Sequence, residues 1–257
     1  MAWLRRPDGC RLYYEIHGSP VADPLVLLEG RGGDILGWRR NIPTLARELR
    51  VIAYDFRGNG RSDAPDEPTT MATFVEDTVA LLDHVEASPA HVYGQSFGGM
   101  VAQDLALAHP ARVRSLILAA THCGGRRFVR THSRTPKGRP WLQLYSESFA
   151  RDHPEYVRDD LRAAGRTAQP PHAARRQRQA MEGFDACDRL GRISAPTMVL
   201  HGTEDRLVAP ENARILVSLI PGAELVWLPG AGHVYHAEQP ETADRAVLDF
   251  VRRHRVG

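Results

Sequence analysis

At 257 residues the chain is long enough to bury one sizeable core, and a single domain carrying an insertion fits that length better than two independent domains. With 42% hydrophobic and 25% charged residues, it has the composition of an ordinary globular protein, which excludes disorder and fibrous repeats. Thirty-three basic against thirty-one acidic residues leave a net charge of +2, which argues for neither nucleic acid nor an anionic membrane as partner.

The chain starts Met1-Ala2-Trp3-Leu4-Arg5-Arg6-Pro7, without the apolar run of a signal peptide, and no stretch is apolar enough to cross a bilayer, so a cytoplasmic location is expected. In chain order, Leu25-Val26-Leu27-Leu28 reads as a buried strand ending in glycines, followed by helical spacing over residues 42–49. Val51-Ile52-Ala53-Tyr54 is the next strand, then a glycine-punctuated loop over 55–62 and a helix over about 71–85. His91-Val92-Tyr93 is a third strand that runs into Gly94, and 97–108 reads as a helix stopped by His109-Pro110. Ser115-Leu116-Ile117-Leu118-Ala119-Ala120 is a fourth.

The strand–helix alternation then breaks. Residues 122–192 hold no convincing buried strand, are interrupted by Pro136, Pro140, Pro154, Pro170 and Pro171, and carry fifteen Lys/Arg against eight Asp/Glu. They read as a helical insertion, with helix around 141–149 and 172–181. Alternation resumes with strand 197–200, helix 211–219, strand 224–227 and a closing helix over 242–254. The pattern predicts an α/β fold: a mostly parallel sheet covered on both faces, its core built from 1–121 and 193–257.

Gly94-Gln95-Ser96-Phe97-Gly98 is a G-x-S-x-G element placed between a predicted strand and a predicted helix. A serine on so sharp a turn crowds its neighbours, so the flanking positions must lack a Cβ, and the turn lifts the hydroxyl above the sheet edge. A serine is a poor nucleophile until a base takes its proton, and the base needs a carboxylate to fix its tautomer. Both belong on loops after downstream strands. There the chain reads His201-Gly202-Thr203-Glu204-Asp205 and Leu228-Pro229-Gly230-Ala231-Gly232-His233, giving the order Ser96, Asp205, His233. His236 is the rival base and Glu204 the rival acid on the same loops. Acyl transfer also needs backbone donors for the oxyanion. The Phe97 amide, at the positive end of its helix, is one; the Arg31 amide in Glu29-Gly30-Arg31-Gly32-Gly33 is the candidate for the other.

No metal-ligand spacing, phosphate loop or dinucleotide fingerprint is present, so no cofactor is expected. Cys10, Cys123 and Cys187 form no metal-like spacing, and their odd number does not close a disulfide framework; they are expected to be reduced packing residues.

These residues, with Tyr13-Tyr14-Glu15-Ile16-His17-Gly18, Asp55-Phe56-Arg57-Gly58-Asn59-Gly60-Arg61-Ser62 and Ala195-Pro196-Thr197, resemble the α/β-hydrolase superfamily over nearly the whole chain. Within it the chain is similar to small cap-bearing esterases and lactonases of the 3-oxoadipate enol-lactonase and aclacinomycin methylesterase kinds. The resemblance implies that 122–192 is a helical cap, that substrate lies between cap and core, and that the 55–62 loop braces the structure. Relatives commonly carry His-Gly where this chain has Glu29-Gly30, so a carboxyl stands at the entrance of the oxyanion loop. Either it bonds neighbouring amides or an arginine, or it borders the pocket and there binds a basic substrate group or alters the acid-base chemistry. Glu29, Gly30, Trp38, Met100 and Trp141 are the candidate substrate contacts, with Tyr145 and Phe149 as further wall.

The expected function is hydrolysis of a small-molecule carboxylic ester or lactone through an acyl-enzyme. The alternatives are a carbon–carbon bond hydrolase acting on a diketone-like substrate, and a non-hydrolytic lyase, oxygenase or ligand sensor that keeps the triad. An interaction module would require the Ser, Asp and His placement to be accidental.

Overall fold

The computed structural model describes residues 2–131, 140–165 and 168–255, with the backbone alone described at 140, 141, 164 and 165. Eight strands, β1 (Ala2–Arg5), β2 (Arg11–His17), β3 (Pro24–Leu28), β4 (Arg50–Tyr54), β5 (Ala90–Gln95), β6 (Val113–Ala119), β7 (Thr197–Gly202) and β8 (Glu224–Leu228), form one sheet. Their order is β1-β2-β4-β3-β5-β6-β7-β8. Strands β3 to β8 run parallel, while β2 is antiparallel to both its neighbours. The parallel strands are mostly apolar, as expected where helices cover both faces of the sheet. Val26, Leu28, Val92, Leu116 and Leu118 point into one core layer and Leu25, Leu27, Tyr93, Ile117 and Ala119 into the other.

The helices are α1 (Ile42–Leu45), α2 (Met71–His84), α3 (Phe97–Ala108), α4 (Glu147–Asp152), α5 (Pro154–Gly165), α6 (Pro171–Glu182), α7 (Glu211–Leu219), α8 (Tyr235–Glu238) and α9 (Pro240–Arg253). The layer formed with α2, α3 and α7 holds Phe74, Leu81, Met100, Leu105 and Leu216. The layer formed with α1 and α9 holds Ile42, Leu45, Val247, Phe250 and Val251. Residues 42–49 are helical only as far as Leu45, and β1 and β2 extend the sheet beyond the strands read from the sequence.

Between β6 and β7 the described residues form helices and short 3-10 turns. Pro154 and Pro171 do not interrupt helices there. They start them, because proline's missing N–H costs nothing in a first turn. This insertion lies across the loops at the C-terminal edge of the sheet: Gln177 accepts the Gly32 N–H at 3.0 Å, the Gln169 amide donates to Asn59, and Ser146 donates to Glu238. Its arginines are partly used in pairs, Arg175 and Arg176 with Asp66 and Arg189 with Asp104.

The expectation for the cysteines is corrected on one point: Cys123 and Cys187 are joined in a disulfide, across 64 residues of sequence. Cys123 follows β6 and Cys187 precedes β7, and those strands pair, so the two necks of the insertion are held together with Cα atoms 4.9 Å apart. An odd count is met by one pair plus one free thiol, and spacing along the chain does not reveal which residues the sheet brings together. Cys10 is the free one, buried, with burial pushing its thiol up to about 11. No helix among the described residues is long and apolar enough to cross a membrane.

Candidate active site

Because β3 to β8 run in one direction, the residues just past their C-terminal ends collect at one edge, where ligands bind in open α/β sheets. Glu29 follows β3, Asp55 follows β4, Ser96 follows β5, His122 lies past β6, Asp205 past β7 and His233 past β8. Ser96 sits at φ +53°, ψ −113°, a conformation that L-residues avoid at a cost of about 1–3 kcal/mol. Its neighbours show why glycine flanks it: a Cβ on Gly94 would stand 2.4 Å from the Gly98 carbonyl oxygen, and one on Gly98 2.0 Å from that of Leu28. The strained turn is fixed from three sides. Ser96 N–H donates to Ala119, while its carbonyl accepts from the Gly99 amide and the Thr121 hydroxyl. The side chain makes no capping bond to α3 and is left for other work.

His233 Nδ1 and Asp205 Oδ2 are 2.8 Å apart, and both side chains are almost wholly buried. Asp205 Oδ1 accepts the Leu207 and Val208 amides at 2.8 and 2.9 Å, and His201 Nε2 lies 3.2 Å from Oδ2. Burial by itself would raise this carboxyl, but the His233 ring and the bonds from His201 and His233 take it well below the usual carboxylate range. An ionised Asp205 accepting from Nδ1 leaves the Nε2 of His233 as the basic nitrogen. Gln95, next to Ser96, donates to the His233 carbonyl at 3.3 Å and so ties the serine turn to the histidine loop.

The rival residues lie elsewhere. His236 is buried against Trp38, ring centroids 4.9 Å apart, and burial pushes it down to about 3. Glu204 is exposed. Phe97 opens α3, whose first amides have no partner within the helix. Arg31 lies in a turn closed by Gly33 N–H to the Gly30 carbonyl, and that turn abuts Ser96: a Cβ on Gly30 would be 3.4 Å from the serine Cβ.

Glu29 is buried and bonded to the Gly30 amide, without an arginine partner among the described residues. Burial pushes it up to about 7, with Asp34 adding to the rise and the Gly30 bond and His233 opposing it. Trp38 is buried between Tyr93 and His236, and Met100 packs in the core with Phe97. Tyr145 is buried and donates to Asp160, with Phe149 stacked beside it. The Trp141 side chain lies outside the described residues. The 55–62 loop is braced as expected, Asp55 accepting the Ile35 and Arg61 amides and Arg57 paired with Asp77 and Asp8.

Three residues at this edge were not singled out from sequence: Gln95, His201 and His122. His122 stacks on Phe128 at 3.9 Å, and burial, with His233 nearby, lowers it to about 4. Their common signal is position, within the last two residues of a parallel strand or just past it. A cavity of about 530 Å³ lies between β2 and residues 34–46, with Tyr13, Glu15 and Arg61 in its wall; Asp55 also lines it, and Ser96, Asp205 and His233 do not. Tyr13, Glu15 and Arg61 are bonded to one another.

The family model for the alpha/beta hydrolase fold matches residues 23–240. A protein of Variovorax paradoxus named as the carbamate hydrolase RutD is 31% identical over 256 residues, 94% of this chain and 96% of its own length. A solved hydrolase from Pseudomonas aeruginosa superimposes with a TM-score of 0.86 at 32% identity, covering 97% of each chain. The enol-lactonase of Burkholderia xenovorans does so with a TM-score of 0.85 at 25% identity, over 98% of this chain and all of the other.

Proposed function

The chain belongs to the α/β-hydrolase fold family, a hydrolase by that kinship, and on this premise we propose that it cleaves a carboxylic ester or lactone of a small molecule with Ser96, His233 and Asp205 as catalytic triad. The observation that carries the reading is the buried 2.8 Å bond between His233 and an ionised Asp205, at the sheet edge where the strained Ser96 turn also stands. In this mechanism Nε2 of His233 takes the Ser96 proton as Oγ adds to the carbonyl carbon. The oxyanion is met by the Phe97 and Arg31 amides.

Collapse of the tetrahedral intermediate breaks the bond to the leaving oxygen, which receives the proton from His233; in a lactone that alcohol stays tethered. Water, deprotonated by His233, then attacks the acyl-enzyme, and the proton returns to Ser96 Oγ as the acid departs. In this reading the insertion 122–192 acts as the cap, a role supported by its Gln177 accepting the Gly32 N–H of the oxyanion loop.

A second reading changes the acyl group, not the machinery: the likeness to a protein named as a carbamate hydrolase supports a carbamate, whose carbonyl accepts the same attack. The test is turnover of p-nitrophenyl acetate, a small aliphatic lactone and an alkyl carbamate by the wild type and by Ser96→Ala. Turnover of the ester or lactone, reduced at least about 10³-fold in Ser96→Ala, is expected. Preference for the carbamate would select the second reading, and undiminished activity in Ser96→Ala would remove both.

A further inference from the structure

The Glu29 carboxyl is folded beneath the turn that carries the Arg31 amide. A Cβ on Gly33 would come within 2.6 Å of its Cγ, and one on Gly37 within 2.7 Å of Oε2, so two glycines make the niche it fills. Oε1 accepts the Gly30 N–H at 2.9 Å. Oε2 is fully enclosed and has no hydrogen-bond partner among the described residues. The titratable groups facing it are Asp34 on the same segment, His233 from the loop after β8, Tyr93 from β5 and Tyr235 from α8.

A buried acid with a single donor costs stability, and an apolar side chain would fill the same space without that cost. What the acid adds is one directed bond. It fixes the peptide plane between Glu29 and Gly30, where the chain leaves β3 and starts the turn closed by Gly33 N–H to the Gly30 carbonyl. Gly30 itself stands against Ser96 and the Gln95 side chain. The carboxyl is buried against Gly33 and Gly37, which fits a residue acting through the backbone and not one touching substrate.

We propose that Glu29 is a positioning residue of the oxyanion loop: by accepting the Gly30 N–H it turns that amide away from Ser96 and holds the next one, Arg31, beside the serine. The proposal rests on the triad reading above. An oxyanion donor is felt in the transition state and hardly in the bound substrate, so losing its alignment lowers kcat and leaves KM in place.

The experiment compares Glu29→Met, which keeps the length and loses the acceptor, with Glu29→Gln, whose amide oxygen can still take the Gly30 N–H. Both are assayed on the ester turned over by the wild type, beside Ser96→Ala, with folding checked by circular dichroism and Tm. Glu29→Met is expected to lose 10- to 100-fold in kcat with KM within about threefold, and Glu29→Gln to stay within about threefold of wild type in both. If Glu29→Met does not fold, Glu29→Ala takes its place in the same comparison.

Wild-type kcat in the acceptor-less variant, equal losses in both variants, or a rise in KM at constant kcat would each overturn the proposal. An inactive Ser96→Ala beside a fully active Glu29→Met removes the proposal alone, whereas an active Ser96→Ala removes the triad reading with it.

Discussion

Two buried carboxyls flank His233, Asp205 in the loop after β7 and Glu29 just past β3, and their proton affinities move in opposite directions. Both are withdrawn from water. Asp205 has the His233 ring against it and takes bonds from His201 and His233, and these interactions more than offset burial; its other oxygen accepts two backbone amides. Glu29 accepts one amide, leaves Oε2 bare and has Asp34 as an electrostatic neighbour, so burial prevails and the acid is held up to about 7. The closeness of the imidazole charge and the bonds it and His201 make, and not depth, separate the two acids. An ionised acid stabilises an imidazolium and a neutral one does not, so the contrast supports the roles proposed for the two, Asp205 with the histidine and Glu29 with the loop.

The largest expected effect sharpens that division. Asp205→Asn keeps the shape and removes the charge, and kcat should fall by about 10⁴-fold with KM little changed, while Glu29→Gln stays near wild type. Steady-state kinetics of the two variants side by side check it; a loss under tenfold in Asp205→Asn would put the two acids in the same class.

A smaller effect is thermodynamic and has opposite signs for the two acids. Glu29 binds its proton more tightly folded than unfolded, so its contribution to stability is fully present below its unfolded value near 4.5 and is lost as pH rises through about 7. Asp205, depressed, contributes above the ordinary carboxylate range and loses that contribution as pH falls. Replacing Glu29 by Gln should therefore raise stability relative to wild type by an amount that grows from pH 5 to pH 8.5, reaching about 3 kcal/mol, or roughly 6–12 °C in Tm. Tm measured against pH for both proteins gives the answer, and parallel curves would mean that Glu29 keeps its ordinary affinity.

The same contrast separates what sequence reveals from what it hides. Ser96 stands where a strand runs through Gly94 into a helix, and that punctuation is written in adjacent residues. The loops bearing Asp205 and His233 likewise follow short apolar runs, so the meeting of acid and imidazole 28 positions apart could be anticipated from topology. The state of Glu29 could not, because its niche is made by Gly33 and Gly37 and, besides Asp34, its electrostatic neighbours come from the loop after β8, from β5 and from α8.

The disulfide was hidden for a similar reason: only the pairing of β6 with β7 brings Cys123 to Cys187. Strand β1 escaped notice because four half-exposed residues give too short an alternation to read. In the insertion, Pro154 and Pro171 read as breaks when they were helix starts, since the same residue serves both ends of that choice.

The most direct test of the account is active-site labelling with a fluorophosphonate, located by peptide mass spectrometry. Wild-type protein should take one phosphonyl group per chain, on Ser96, and His233→Ala should react at least about 10³-fold more slowly. A label on another residue, or equal rates with and without the imidazole, would contradict the triad on which the proposed hydrolysis depends.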